Sequence, residues 1–137
     1  MAGPEYNSIN MKKTDVLAKV KEAWAGRIGP AVFSTVDRAG NPNSVYVFSM
    51  KLLEDGRVLV MDNRFHKTRE NIKNGSRGGF LFLAPGHKSY QVKGRLEYCS
   101  SGPLFEEFKK EIEPRFARLA AVVLHPEEIY CGAEKLL

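Results

Sequence analysis

The sequence predicts a mainly β protein built as a small closed antiparallel barrel of about six strands, with short flanking helices. Strand-like runs of β-branched and aromatic residues follow one another at short intervals, and turns rich in Gly, Pro, Asn and Asp separate most of them. Helical patterns between these runs are few and short, which argues against a doubly wound parallel sheet. A length of 137 residues indicates a single domain, residues 1–137.

A first helix is predicted after a flexible arm at residues 1–13, which carries no hydrophobic periodicity. Apolar residues then recur at helical spacing from Val16 to Trp24, with Thr14 as the candidate N-cap and Gly26 as the stop. Because Trp24 lies on the apolar face of this helix, we expect it in the core and not against a ligand.

The remaining elements follow from the alternation of apolar runs and turns. Strands are expected at residues 31–36, 44–53, 57–61, 78–84, 89–98 and 120–124. The last strand is expected to break at His125-Pro126, because proline has no N–H to donate to a ladder. Short helices are expected at residues 67–74 and from Pro103, which suits a first helical turn, to Pro114 at the latest.

The fourth of these strands is apolar on both faces, reading Gly-Phe-Leu-Phe-Leu over residues 79–83. A barrel strand with one face in water should instead alternate between apolar and polar residues. The short helices of this chain cannot cover much of a barrel, so a second subunit is the favoured cover. We therefore expect a homodimer.

Composition restricts the class of protein without choosing a ligand. The 21 Lys and Arg residues exceed the 16 Asp and Glu residues, which gives a formal charge of +5 and suits either a phosphate-bearing cofactor or nucleic acid. Cys99 and Cys131 show neither zinc spacing nor a redox pair, and no signal segment is evident, so a cytoplasmic location is expected. No apolar run is long enough to span a membrane, so no membrane association is expected.

Residues 58–75 carry the clearest functional signal. A buried-strand pattern ends in the turn at residues 62–64, which opens a short helix. Backbone N–H groups at a helix start are unpaired, so an anion there would meet them together with the Lys67 ammonium, the Thr68 hydroxyl and the Arg64 guanidinium. The alternative is a surface helix whose basic residues are merely solvated.

Two motifs resemble those of a known family: HKTREN at residues 66–71, directly after a strand, and YQVKGRLEY at residues 90–98. With the strand patterns around them, from about Gly29 to Tyr130, they resemble the small FMN-binding split-barrel proteins related to pyridoxamine 5′-phosphate oxidase. The resemblance implies a six-stranded antiparallel split β-barrel of Greek-key type. It also implies a homodimer with two FMN sites at the subunit interface.

The same resemblance implies which residues would hold FMN. Lys67 and Thr68 would bind the phosphate, and Asn71 matches a family Asn one helical turn later. Further positions match segments that approach the isoalloxazine ring and ribityl chain, largely through backbone groups: Val47, Phe48, Ser49, Met61, Asp62 and Gln91. Alternatively, Phe48 and Met61 are simple core residues and Asn71 is a helix-surface residue.

No side chain is expected to be catalytic. The three histidines, His66, His87 and His125, lack metal spacing, and no nucleophile triad or carboxylate pair is evident. FMN would therefore carry the chemistry of an oxidoreductase or electron carrier, whose electron donor and acceptor the sequence does not name. Because the chain ends CGAEKLL and not in the basic Arg- and His-containing motif of pyridoxamine phosphate oxidases, the vitamin B6 reaction is not expected.

Two alternative functions remain at this point. One is a protein that binds FMN or a related cofactor without turnover. The other is a barrel that binds nucleic acid, in which Tyr46, Phe48, Phe80 and Tyr90 would act as stacking rings. The positive charges are spread along the chain and are not grouped with these rings, which disfavours the nucleic-acid alternative.

Overall fold

A computed structural model describes residues 12–137 of the chain. Its elements in chain order are α1 (Lys13–Ala25), β1 (Ile28–Val36), β2 (Pro42–Val47), β3 (Met50–Leu52), β4 (Val58–Asp62), α2 (Lys67–Lys73), β5 (Gly78–Ala84), β6 (Lys88–Cys99), α3 (Pro103–Lys110), β7 (Ala120–Cys131) and β8 (Glu134–Lys135). The predicted arm lies outside the described residues except for its last two, and of these Lys13 already belongs to α1. Lys12, not Thr14, occupies the N-cap position of this helix.

The strands form one antiparallel sheet in the order β2-β1-β5-β6-β7-β4-β3, with β8 paired to β7. The two ends of this order, β2 and β3, are consecutive in the chain and are separated only by Phe48 and Ser49. The sheet therefore closes on itself as a barrel, which confirms the mainly β split-barrel prediction. The described residues contain eight strands instead of six, because one predicted strand is interrupted and β8 is added.

The interruption at Phe48 and Ser49, which we call the corner, corrects the prediction of one strand over residues 44–53. Before the corner the chain pairs with β1, as in Val47 opposite Ala31. After it the chain pairs with β4, as in Met50 opposite Val60. The corner takes the chain from one end of the sheet order to the other, a change that hydrophobic periodicity does not reveal.

The last long strand, β7, corrects a second prediction, because it runs without a break through Pro126. The β6–β7 ladder shifts register at Lys93 and Gly94, which brings Gly94 opposite Pro126. A bulge is one of the places where a sheet tolerates proline, since the local ladder is already disrupted.

Large apolar side chains fill the barrel. Phe33 and Phe80 are fully buried within it, and Trp24 from α1 packs against Phe80 and Phe82 at ring distances of 5.7 and 5.1 Å. Helix α3 covers a different surface, the outer side of β4 and β7. Its Phe105 and Phe108 form a separate apolar cluster there with Leu59, Met61, Ala121 and Val123.

Among residues 12–137, no such helix cluster lies over the outer side of β1, β2 and β5. Leu81 and Leu83 point outward from β5 and are 38% and 51% exposed, whereas Phe80 and Phe82 point inward. Ladder pairing aligns Val32 with both Tyr46 and Leu81, and Ile28 with Leu83. These five residues, Ile28, Val32, Tyr46, Leu81 and Leu83, form what we call the outer apolar face.

Candidate functional site

A cavity of about 530 Å³ opens at the corner between β2 and β3. Three parts of the chain line it: Val45, Tyr46, Val47, Phe48 and Ser49 from β2 and the corner, Met61, Asn63, Arg64 and Phe65 from the end of β4 and the loop after it, and Phe116 from the segment after α3. The wall includes four aromatic rings, and two of them, Tyr46 and Phe48, are 70% and 74% exposed. Cofactor sites typically have volumes of ~300 to 1,000 Å³ and combine apolar walls with a few polar groups.

The structure brings four of the nine predicted cofactor-binding residues together in this wall: Val47, Phe48, Ser49 and Met61. Phe48 is far too exposed to be a core residue. Met61 is 2% exposed and belongs to the apolar cluster under α3, so it serves the core as well as the wall.

Asp62, also predicted at the site, is fully buried beside the cavity, and its carboxylate is already bonded within the protein. Arg69 Nε and Tyr98 Oη each donate to Oδ2 at 2.7 Å, and Phe65 N donates to Oδ1 at 2.7 Å. Burial by itself would raise the pKa of Asp62, but the bonds from Arg69, Tyr98 and Phe65 outweigh it and hold the pKa below its ordinary value of 3.8. The carboxylate thus fixes the loop that carries Phe65 into the cavity wall.

Helix α2 begins at Lys67, two residues after Phe65. Lys67 is exposed, and its Nζ lies 3.4 Å from Glu70 Oε1, an exposed pair of small energetic value. None of the predicted α2 residues, Lys67, Thr68 and Asn71, lines the cavity.

Thr68 and Asn71 instead fasten α2 to the barrel, and both are almost completely buried. Asn43 Nδ2 on β2 donates to Thr68 Oγ1 at 3.0 Å, and Asn71 Nδ2 donates to Thr35 Oγ1 on β1 at 3.0 Å. Asn71 is therefore not the helix-surface residue of the alternative interpretation. Its Oδ1 is buried and has no hydrogen-bond partner within residues 12–137.

Gln91, the last predicted residue, does not line the cavity. It pairs with Leu81 on β5 and Tyr130 on β7, so it shares the outer side of the barrel with the outer apolar face.

Sequence reasoning did not assign Asn63, Phe65 or Phe116 to the site. Asn63 lies in the predicted turn at residues 62–64, Phe65 lies between that turn and the predicted helix, and Phe116 lies in a segment without periodicity. Arg64, considered at the sequence level for the phosphate, does line the cavity, and its guanidinium has no partner within residues 12–137.

Across those same residues, no three His, Cys, Asp or Glu side chains are grouped to hold a metal, and no helix is long and apolar enough to cross a membrane.

Residues 17–131 of this barrel match the family model described as pyridoxamine 5′-phosphate oxidase. The chain belongs to the pyridoxamine 5′-phosphate oxidase family. This assignment confirms the resemblance inferred from the two motifs. The uncharacterized protein MJ0282 of Methanocaldococcus jannaschii is 32% identical to this chain over an alignment of 102 residues, which covers 71% of this chain and 68% of the relative.

Solved structures agree with the family assignment. HupZ from Group A Streptococcus has a TM-score of 0.72 at 27% identity and covers 83% of this chain and 91% of its own. An FMN-binding protein from Syntrophomonas wolfei has a TM-score of 0.73 at 20% identity, with coverage of 85% and 86%. HutZ, a heme storage protein from Vibrio cholerae, has a TM-score of 0.65 at 16% identity, with coverage of 83% and 92%. The last two identities show the fold alone.

Proposed function

We propose that this member of the pyridoxamine 5′-phosphate oxidase family binds FMN in the cavity at the corner and serves as an oxidoreductase or electron carrier. The observation that carries the proposal is the composition of the cavity wall, where Tyr46, Phe48, Phe65 and Phe116 surround a volume of about 530 Å³. Flat aromatic rings pack favourably against such side chains. The family assignment and the FMN-binding protein of the same fold support the choice of a flavin.

FMN would supply electron transfer, and the protein would orient the ring and limit its contact with water. Ser49 presents a hydroxyl in the wall, which can approach the ring system, and Asn63 an amide whose two ends are bonded within the protein, to Ser49 Oγ and to Arg118 N. Neither is positioned by a neighbouring acid or base of the kind that a catalytic proton transfer requires, so no side chain is assigned a catalytic role.

Two cations are available for the phosphate. Lys67 stands in the first turn of α2, and its pairing with Glu70 is weak enough to be exchanged for a phosphate. Arg64 stands in the cavity wall without a partner in the described part of the chain. Thr68 would contribute through its backbone N–H, since its hydroxyl already accepts a bond from Asn43.

We expect Lys67→Gln and Arg64→Gln each to weaken FMN binding about tenfold, because a hydrogen bond to a charged group contributes ~1.5 to 3 kcal/mol. Riboflavin, which has no phosphate, should bind almost as well to both variants as to the parent. Titration of the apoprotein with each flavin, monitored by the quenching of flavin fluorescence, measures both affinities.

Lys110→Gln is the matched control for these variants. Lys110 is also exposed and pairs with a helical neighbour, Glu107, at 3.7 Å, but it does not line the cavity. Its loss should leave both affinities unchanged. Parental FMN affinity in both Lys67→Gln and Arg64→Gln would place the phosphate elsewhere.

Thr68→Ala is a poor probe, because it leaves Asn43 without its partner and lowers stability whether or not FMN binds.

We further propose that two copies of the chain meet through the outer apolar face. Tyr46 belongs to this face and also lines the cavity, so the two surfaces are continuous. A second copy seated there would cover Leu81 and Leu83 and would place Gln91 in the interface beside them. This arrangement accounts for an exposed apolar strand and for a predicted FMN residue that lies outside the cavity of its own protomer.

The dimer proposal predicts that the protein is dimeric at micromolar concentration and that Leu83→Glu makes it monomeric. A charge buried without a partner in such an interface is strongly unfavourable. FMN should tighten the parental dimer if both copies contact it, by mass action. Light scattering with and without FMN measures each state. Ala39→Glu, which adds the same charge at an exposed turn, should remain dimeric. A flavin-bound monomer of the parent would contradict the dimer proposal.

The absorption spectrum of the purified protein tests the choice of cofactor. Flavin bands near those of free FMN, with FMN as the released molecule, are expected. A heme Soret band, or nucleic acid without flavin, would overturn the proposal.

The structure already buries two of the four rings that nucleic-acid binding would use, Phe80 and Tyr90. Turnover with reduced nicotinamide would separate an oxidoreductase from a protein that only binds FMN.

A further inference from the structure

Asn63 connects two parts of the cavity wall that are distant in sequence. Its Nδ2 donates to Ser49 Oγ at the corner, at 3.1 Å. Its Oδ1 accepts the backbone N–H of Arg118, also at 3.1 Å. One amide therefore uses its donor side on the corner and its acceptor side on the chain segment that precedes β7.

The wall on the acceptor side is the 111–119 segment, which joins α3 to β7 and carries Phe116 into the cavity. Arg118 has a φ of 51°, in the left-handed region that a residue with a side chain rarely adopts. Such a conformation persists only where surrounding contacts impose it. Two backbone N–H groups donate hydrogen bonds at this point: Arg118 N to the side-chain Oδ1 of Asn63, and Leu119 N to the backbone O of Asp62 at 2.8 Å.

We propose that Asn63 is a positioning residue that holds the 111–119 segment, and with it Phe116, against the corner. Without the Asn63 bond, fewer contacts hold Arg118 in the left-handed region, and the backbone there relaxes. Phe116 then moves away from the cavity wall. The part of this inference that concerns a ligand rests on the proposed flavin site. The part that concerns the segment applies to the apoprotein.

The test compares Asn63→Leu with Asn63→Asp. Leucine has a similar size but no polar atoms, whereas aspartate can accept both the Arg118 N–H and a hydrogen from the Ser49 hydroxyl. In the apoprotein, trypsin should cleave after Arg115 and Arg118 about fivefold faster in the leucine variant, as expected for loss of a typical hydrogen bond that limits local opening. The aspartate variant should keep the parental rate. Mass spectrometry assigns each cleavage site.

A ligand measurement separates positioning of the wall from general stability. Riboflavin is the probe, because it lacks the phosphate charge that the carboxylate of Asn63→Asp would repel. Its affinity should fall about fivefold in Asn63→Leu and be retained in Asn63→Asp. Asn41→Ala is the control, since Asn41 uses its amide in an exposed turn, on Asp37 at 3.1 Å, and should change neither measurement.

The possible outcomes all decide the proposal. Parental cleavage rates at both sites in Asn63→Leu would overturn it, and so would equally fast cleavage in the leucine and aspartate variants. If the leucine variant does not fold, Asn63→Ala takes its place, because it adds no bulk. If the parent binds no flavin, the proposed function fails, and the cleavage comparison in the apoprotein still tests the role of Asn63.

Discussion

Asp62→Asn is expected to lower the free energy of unfolding by about 3 kcal/mol at neutral pH, because removal of one partner of a buried ion pair leaves the other poorly compensated. Asp62 is fully buried, and only 29% of the Arg69 side chain is exposed. Arg69, Tyr98 and Phe65 all donate hydrogen bonds to the Asp62 carboxylate. In asparagine an NH₂ group, itself a donor, would replace one of the two acceptor oxygens and face some of these donors. Chemical denaturation measures the change.

The pH dependence identifies the cause. The pKa of Asp62 in the folded protein lies below its ordinary value of 3.8, so the ionised carboxylate stabilises the fold at every pH above that value. This contribution is lost as pH falls through the folded pKa. The stability difference between the parent and Asp62→Asn should therefore shrink below about pH 4. A difference that stays constant down to pH 2 would show that the ion pair is not its source.

The matched control is Asp55→Asn. Asp55 also pairs with an arginine, with Arg57 Nε at 2.9 Å, but 58% of its side chain is exposed. An exposed pair of this kind contributes little, so the change in unfolding free energy should stay within about 0.5 kcal/mol. A loss as large as that of Asp62→Asn would mean that burial does not distinguish the two sites.

Gly94→Ala is expected to destabilise the barrel by at least about 3 kcal/mol. A Cβ at this position would lie 1.8 Å from His125 O and 2.9 Å from His125 C. Both atoms belong to the backbone of β7, so no rotamer change can relieve the overlap. The substitution would push β6 and β7 apart at the bulge opposite Pro126.

Gly79→Ala provides the comparison for Gly94→Ala. Its Cβ would meet only ordinary contacts, with Gln91 Oε1 at 3.8 Å and Ser34 Cβ at 4.0 Å. The melting temperature should stay close to that of the parent, whereas Gly94→Ala should lower it by more than ten degrees or prevent a cooperative transition, on the order expected for a domain of this size. Equal melting temperatures of the two variants would show that the β6–β7 contact at Gly94 is loose.

The sequence by itself determined the position of most strands, the short helices and the start of α2, because these depend on neighbouring residues. Alternation of apolar residues and turn chemistry placed β5 at residues 78–84 and α2 at Lys67 within a residue or two of their observed bounds. The two motifs, together with the strand patterns around them, were sufficient to recognise the family, since they are contiguous stretches.

Only the tertiary structure decided which residues meet. The cavity is built from residues 45–49, from the end of β4 with its loop, and from Phe116, segments that come together when β2 and β3 close the barrel. No local pattern marks the corner at Ser49, because a strand that changes partners keeps its apolar character. Asp62 and Thr68 were predicted to bind a ligand because their partners within the protein are distant in sequence. Tyr98 lies 36 positions from Asp62, and Asn43 lies 25 positions from Thr68. Burial and pairing across such separations are properties of the closed barrel, and they determine which polar side chains remain available to a ligand.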